Sequence, residues 1–273
     1  MSWLSTNISK RLKNPSIDFE VIIKNSNFKE LSFETAADNV AKSLLGNKIF
    51  VGFSGGYDSE FIVRKLHSLK INFTPVLIEH EGLEYERIFA YETLSELGID
   101  PKIIKISMLD FLDIYKCKIY EPLNGTSWPV AQYLACEYAF EQGGIYVDGG
   151  HLLGDGIDLV SEQNFYLPEW DFYCHALFPS EFKICNFFIH SPEIAYATLS
   201  EITDKDMTWS DYKKRVFNLK YRLKVKHINS FNPEMKKILL DMDKLKKYKP
   251  KTKVFFGSKN NLMTLIKETN YND

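Results

Sequence analysis

Six consecutive residues, Ser54-Gly55-Gly56-Tyr57-Asp58-Ser59, constrain this chain more than any other segment. They follow Lys48-Ile49-Phe50-Val51-Gly52-Phe53, a short apolar run that reads as a strand. They lead into Ser59 to Leu69, where Phe61, Ile62, Lys65, Leu66 and Leu69 recur at helical spacing. A strand passing through Gly-Gly into a helix puts the loop at a carboxyl edge, where open α/β sheets bind ligands. Gly55 and Gly56 permit a tight turn and a close backbone approach. Their N–H groups can point at phosphate oxygens, Ser54 and Ser59 add hydroxyl donors, and the helix start directs its amides and dipole at an anion. Asp58 would repel a bare phosphate, so its carboxylate is expected to cap the helix or to act through a bridging Mg²⁺. No Gly-Lys-Ser/Thr follows, which excludes a Walker loop.

The flanking pattern repeats the alternation. Ile71 to Ile78 reads as a second strand, Glu84 to Leu97 as a helix closed by Gly98, and Pro101 to Ile106 as a third strand. Val130 to Phe140 reads as a helix closed near Gly143-Gly144, and Ile145-Tyr146-Val147 as a fourth strand. Strands alternating with helices imply crossovers and a mainly parallel sheet covered on both faces. Upstream, Phe19 to Ile23 alternates weakly. Ser32 to Leu45 carries Phe33, Ala36, Ala37, Val40, Ala41, Leu44 and Leu45 on one stripe and ends at Gly46. After Asp158 the rhythm changes. Phe165 to Phe188 is aromatic and irregular, Ser191-Pro192-Glu193 reads as a capped helix start, and helical patterns run to about Lys247. The expected organisation is an entry segment over 1–45, a nucleotide-binding α/β core over 46–160 and a mainly helical region over 161–273.

Ser54 to Ser59 resembles the Ser-Gly-Gly-x-Asp-Ser signature of the PP-loop ATP pyrophosphatase superfamily, and the surrounding β/α pattern agrees over roughly residues 46 to 158. The resemblance implies a parallel sheet of Rossmann-like (HUP) type flanked by helices. It implies that ATP is cleaved between its α- and β-phosphates with Mg²⁺, and that a nucleophile displaces AMP from an adenylate. It places pyrophosphate and Mg²⁺ on Ser54, Gly55, Gly56, Asp58 and Ser59, with Leu77-Ile78-Glu79 beside the adenine through backbone contacts.

A second candidate site follows the fourth strand, in Asp148-Gly149-Gly150-His151-Leu152-Leu153-Gly154-Asp155-Gly156-Ile157-Asp158. Glycines and carboxylates at a strand end suit Mg²⁺ and substrate. Gly150 is expected to contact nucleotide, Asp155 to contact metal or substrate, and Asp155 or Asp158 to orient the nucleophile. A lone histidine in such a run, His151, reads first as a hydrogen-bonded loop residue.

Two branches of the superfamily fit. In the synthetase domain of asparagine synthetases the fourth strand enters Gly-Glu-Gly-x-Asp-Glu, to which Gly154-Asp155 is similar in part, without the glutamate. Phe188 to Ile194 is similar to the segment opening that domain's helical part. Lys214, Arg215, Lys220 and Arg222 stand where its basic residues reach ATP phosphates, and Lys220 is taken to stabilise the departing pyrophosphate. Met1-Ser2 offers no cysteine for a glutaminase, so the nitrogen would come from free ammonia, a separate ammonia donor or an amine already on the substrate. In the tRNA-modifying branch the fourth strand enters Gly-His-x-x-Asp-Asp, and Gly150 to Asp155 resembles this with Gly154 replacing the first Asp. Lys205 to Lys253 holds sixteen Lys or Arg against five Asp or Glu in a chain of net charge −2, and such a stretch attracts a polyanion such as tRNA or forms a solvated helical face. The cysteine pair of the thiolases is missing. The expected activity is therefore an ATP-dependent ligase joining a small-molecule carboxylate or carbonyl to an amine. Nucleobase modification and a non-enzymatic nucleotide sensor stand as alternatives.

Composition limits the rest. At 45% hydrophobic and 14% aromatic residues the chain can build a substantial core. No apolar run approaches the roughly 18 residues that span a bilayer. Met1 to Asn14 lacks the apolar stretch of a signal peptide, so a cytoplasmic location and no membrane partner are expected. Cys117, Cys136, Cys174 and Cys185 form no C-x-x-C pair and read as buried free thiols.

Overall fold

The computed structural model describes residues 3–14, 16–24, 27–80, 84–118, 128–149, 153–154, 165–168, 183–202, 213, 215–217, 233–245 and 253–268. Their elements are β1 (Leu4–Thr6), α1 (Ile8–Lys13), β2 (Val21–Ile23), α2 (Phe33–Ser43), β3 (Ile49–Gly52), α3 (Tyr57–Ser68), β4 (Thr74–Glu79) and α4 (Glu84–Leu97). Next come β5 (Lys102–Lys105), α5 (Met108–Cys117), α6 (Trp128–Glu141), β6 (Ile145–Asp148), β7 (Leu153–Gly154), β8 (Phe165–Pro168) and β9 (Lys183–Asn186). A 3₁₀ turn (Phe187–Ile189), α7 (Pro192–Ser200), α8 (Pro233–Leu245), β10 (Lys253–Gly257) and α9 (Lys259–Glu268) follow.

Five strands form one sheet in the order β5-β4-β3-β6-β9, and every pairing in it is parallel. This is the expected Rossmann-like α/β architecture. The chain moves outward from β3 to β4 and β5, then returns to place β6 on the other side of β3. That reversal makes a switch point between the carboxyl ends of β3 and β6, where loops diverge and leave a crevice.

Side-chain alternation explains why both sheet faces are covered. Ile49, Val51, Leu77, Ile145 and Val147 join the larger core with α2, α3, α4 and α7. Phe50, Val76 and Tyr146 point the other way, onto Ala135, Cys136 and Ala139 of α6. Strands buried on both faces read as short apolar runs, as this sequence does.

Local signals fix the ends. Ser32 Oγ accepts from the Thr35 N–H and Ser191 Oγ from the Ile194 N–H, with Pro192 in the first turn of α7. Gly46, Gly98 and Gly143 close their helices with φ of 83°, 65° and 66°. On α2 the expected stripe is buried from Phe33 through Leu44, but Leu45 is exposed, because the helix stops at Ser43 and the chain turns outward. Cys117 is likewise exposed, while Cys136 and Cys185 are buried as expected; Cys174 lies outside the described residues.

Two further sheets lie outside the parallel one: the antiparallel pair β1-β2 and the antiparallel set β10-β8-β7. The stretch read as irregular, Phe165 to Phe188, thus contains β8 and the fifth parallel strand, β9. Among the described residues no helix is long and apolar enough to cross a membrane.

Candidate phosphate and acceptor site

Helix α3 begins at Tyr57, so Asp58 and Ser59 sit in its first turn. The cap is Gly56, extended at φ −71° and ψ 164°, and it offers no side chain to the first-turn amides. This corrects one expectation: Asp58 does not cap the helix. Those first-turn N–H groups cannot be satisfied within the helix, and they carry the positive end of its dipole.

The loop is built for close approach. Gly55 has φ of 77°, and a Cβ added there would lie 2.6 Å from the backbone nitrogen of Ala90 on α4. Ser54 Oγ accepts from the Gly56 N–H at 3.2 Å, and the Ser59 hydroxyl donates to the Gly56 carbonyl at 3.2 Å. The two hydroxyls stand 3.4 Å apart, so both serines brace the turn while facing one another. On the opposite side, a Cβ added to Gly149 would lie 2.6 Å from Asp58 Cβ. The end of β6 therefore abuts the start of α3, and the loop is enclosed by α4 on one side and β6 on the other.

Asp58 Oδ2 accepts from Lys213 Nζ at 2.6 Å, across 155 residues of sequence. Lys213 is held there by a second contact one turn further along. Phe217 stacks on Phe61 of α3, with centroids 4.7 Å apart, inside an aromatic cluster with Phe33 and Phe188. A basic residue from the carboxyl-terminal region thus reaches the first turn of α3. Of the basic residues singled out from the sequence, Lys214, Lys220 and Arg222 lie outside the described residues; among the described ones, Lys213 makes this contact.

Strand β4 outruns β3. Their ladder ends with Gly52 opposite Val76 and the Phe53 N–H on the Val76 carbonyl at 2.9 Å, while β4 continues to Glu79 against β5. Leu77 and Ile78 therefore project past β3 toward the loop, with the Leu77 side chain buried in the core. Glu79 accepts from the Tyr91 hydroxyl of α4.

At the end of β6, Asp148 is 7% exposed, and Oδ2 accepts from Gln132 Nε2 of α6 at 2.6 Å. Its register partner on β9, Asn186, is also buried. Behind them, burial and then the negative charge of Asp148 push the Cys185 thiol up, so it stays protonated.

The described residues thus bring together Ser54, Gly55, Gly56, Asp58 and Ser59, with Leu77 and Ile78 one strand away. Gly150, His151, Asp155, Asp158 and Lys220 lie outside the described residues. The sequence reading did not single out Lys213, Gln132 or the packing role of Ala90. Asp148 had a detectable signal, a carboxylate ending an otherwise apolar strand.

No protein-family model and no curated protein matches this chain. Among solved structures, an NMN synthetase from Francisella tularensis is similar at 14% identity and a TM-score of 0.33, over 43% of this chain and 54% of that one. An NH3-dependent NAD synthetase from Campylobacter jejuni is similar at 18% identity and a TM-score of 0.34, over 42% of this chain and 53% of that one. The chain spans about half the length of these structures.

Proposed function

We propose that this chain binds ATP and cleaves it to AMP and pyrophosphate, activating a small-molecule carboxylate or carbonyl for attack by an amine, in the manner of the synthetase domain of asparagine synthetases. One observation carries this reading: a helix start capped by Gly56 with no side-chain cap hydrogen bond, behind Ser54-Gly55-Gly56 at the switch point of a parallel sheet, with Lys213 on its first-turn aspartate. The β- and γ-phosphates lie against the loop amides and the two serine hydroxyls. Lys213 carries the charge that offsets the departing pyrophosphate, the role expected of Lys220. The backbone of Leu77 and Ile78, past the end of the β3 ladder, meets the adenine edge.

Asp58 fits a share in binding Mg²⁺. Among the described residues no three His, Cys, Asp or Glu cluster as a metal cage. Mg²⁺ held by one or two carboxylates together with substrate phosphates requires no such cage. Mg²⁺ would neutralise phosphate charge there, with Asp155 as the proposed second carboxylate. Asp58 holds its place through Lys213 until the nucleotide arrives.

The test is pyrophosphate release by the full chain, screened across amino acids with ammonium and across tRNA. Release stimulated by a small carboxylate plus ammonium supports the reading, and release requiring tRNA replaces it with nucleobase modification. ATP turnover that survives Ser54→Ala with Asp58→Ala refutes the site.

A further inference from the structure

We infer that the Glu79 carboxylate receives the ribose hydroxyls of the nucleotide, and that Tyr91 is the positioning residue that aims it. This rests on the ATP reading above, and it assigns the sugar a place within it.

On β4, Val76 and Ile78 pack on the α6 side, and Leu77 packs in the larger core with α3 and α4. Side chains alternate along a strand, so Glu79 returns to the α4 side, one position past the last apolar residue. There its Oε1 accepts from the Tyr91 hydroxyl of α4. Tyr91 directly follows Ala90, whose backbone nitrogen would lie 2.6 Å from a Cβ added to Gly55. The carboxylate is therefore held on α4 by the residue next to the one that the Ser54 to Ser59 loop touches.

The two ends of the nucleotide fix its middle. Under the proposed function the phosphates lie on the loop. At the other end, the Val76 carbonyl takes the last contact with β3, from the Phe53 N–H at 2.9 Å. By the same alternation Ile78 turns its N–H and carbonyl to that side, beyond the end of the ladder, where an adenine edge can meet them. The sugar joining base to phosphates then passes beside Glu79 and Tyr91. A carboxylate repels phosphate oxygens and makes strong hydrogen bonds with hydroxyl donors. Tyr91 fixes its plane through Oε1, and Oε2 keeps its capacity to accept. Lys105, 79% exposed, stands 3.8 Å from Oε2, too far for a hydrogen bond, and a water-exposed ammonium holds it weakly.

The experiment titrates the full chain by calorimetry with the magnesium salts of ATP, dideoxy-ATP (which lacks both ribose hydroxyls) and ITP, with no second substrate present. The wild type is expected to bind ATP about tenfold or more tighter than dideoxy-ATP, the effect of losing hydrogen bonds to a charged acceptor. Glu79→Gln and Tyr91→Phe should each narrow that ratio by about threefold or more. The ratio is the readout, because a merely structural fault weakens both nucleotides alike. Should one variant fail to fold, the other decides the matter. Equal binding of ATP and dideoxy-ATP by the wild type overturns the inference and leaves the ATP reading standing, as does a ratio that survives both substitutions. If Glu79→Gln instead narrows the preference for ATP over ITP, the carboxylate reads the base amine and the sugar assignment is overturned. A wild type that binds none of the three nucleotides refutes the ATP reading and this inference with it.

Discussion

Lys213 Nζ lies 2.6 Å from Asp58 Oδ2 and joins the carboxyl-terminal region to the first turn of α3. Both side chains are partly exposed, 18% and 25%, so the pair itself contributes about 0–1 kcal/mol to stability. Under the proposed function, its value lies in placing a cation where pyrophosphate charge would develop. Lys213→Gln is therefore expected to lower pyrophosphate release by about 10²- to 10³-fold, the usual effect of removing one such donor. Chemical denaturation should change by less than about 1 kcal/mol. Equal losses of activity and stability would assign the pair a structural role instead.

Gly149 and Gly55 test how tightly the loop is enclosed. Gly149→Ala would place a methyl group 2.6 Å from Asp58 Cβ, so α3 or β6 must move. Gly55→Ala meets the Ala90 backbone at the same distance and also adopts φ of 77°, which costs a non-glycine residue about 1–2 kcal/mol. Both should lose ATP binding in calorimetry. Overpacking destabilises by about 1–3 kcal/mol, so Gly55→Ala, with strain added, should melt lower than Gly149→Ala. ATP affinity retained in both would place the nucleotide away from this loop.

The sheet and the loop were legible because their signals are local. β3 and β6 are apolar runs with glycines close by, β4 is mostly apolar, β5 carries Ile103-Ile104 between two lysines, and α4 runs from Glu84 to Leu97 as its spacing predicts. β9 was not legible, because Lys-Ile-Cys-Asn is four residues long with mixed polarity, and its place in the sheet comes from pairing with β6. Helix α5 did carry signals: Ser107 caps it, and Phe111 and Tyr115 recur at helical spacing. The Asp58–Lys213 contact depends on a chain reversal over 155 residues. No local pattern marks Lys213 as the residue that meets Asp58. Four residues on, Phe217 stacks on Phe61 of the same helix α3.

Lys65 exposes an asymmetry in buried charge. Its ammonium is fully buried on α3 and donates to Glu34 Oε1 at 2.7 Å and Asp38 Oδ1 at 2.6 Å on α2. The acids are 45% and 24% exposed and can return to water. Neutralising both, as Glu34→Gln with Asp38→Asn, strands the ammonium and should cost about 3–5 kcal/mol. Lys65→Met removes the buried charge at similar volume, and such replacements are often close to neutral. Guanidinium denaturation should rank the double acid variant well below Lys65→Met. The reverse order would mean that Lys65 is solvated through a path absent from this fold.

His190 sets a pH dependence whose sign follows from its neighbours. Cys185, protonated through burial, stands 3.3 Å from Nδ1 and donates its S–H there. Ser43 donates its hydroxyl to the Val40 carbonyl at 2.7 Å, so it can only accept from the imidazole, whose Nε2 lies 3.3 Å away. That network assigns the neutral ring with its proton on Nε2. Burial lowers the pKa below the ordinary 6.5. A second proton would have to sit on Nδ1, against a thiol hydrogen. Below pH 6.5 the unfolded chain binds a proton at His190 that the folded chain does not. Stability therefore rises with pH in that window, and it falls as pH drops from 6.5 toward the lowered folded value. One proton limits the slope to about 1.4 kcal/mol per pH unit. Urea denaturation of the wild type across pH 7 to 5 should show this loss, and His190→Gln should remove His190's share of the slope. An unchanged slope in the variant would mean that His190 is protonated in the folded chain and that Cys185 or Ser43 has turned away.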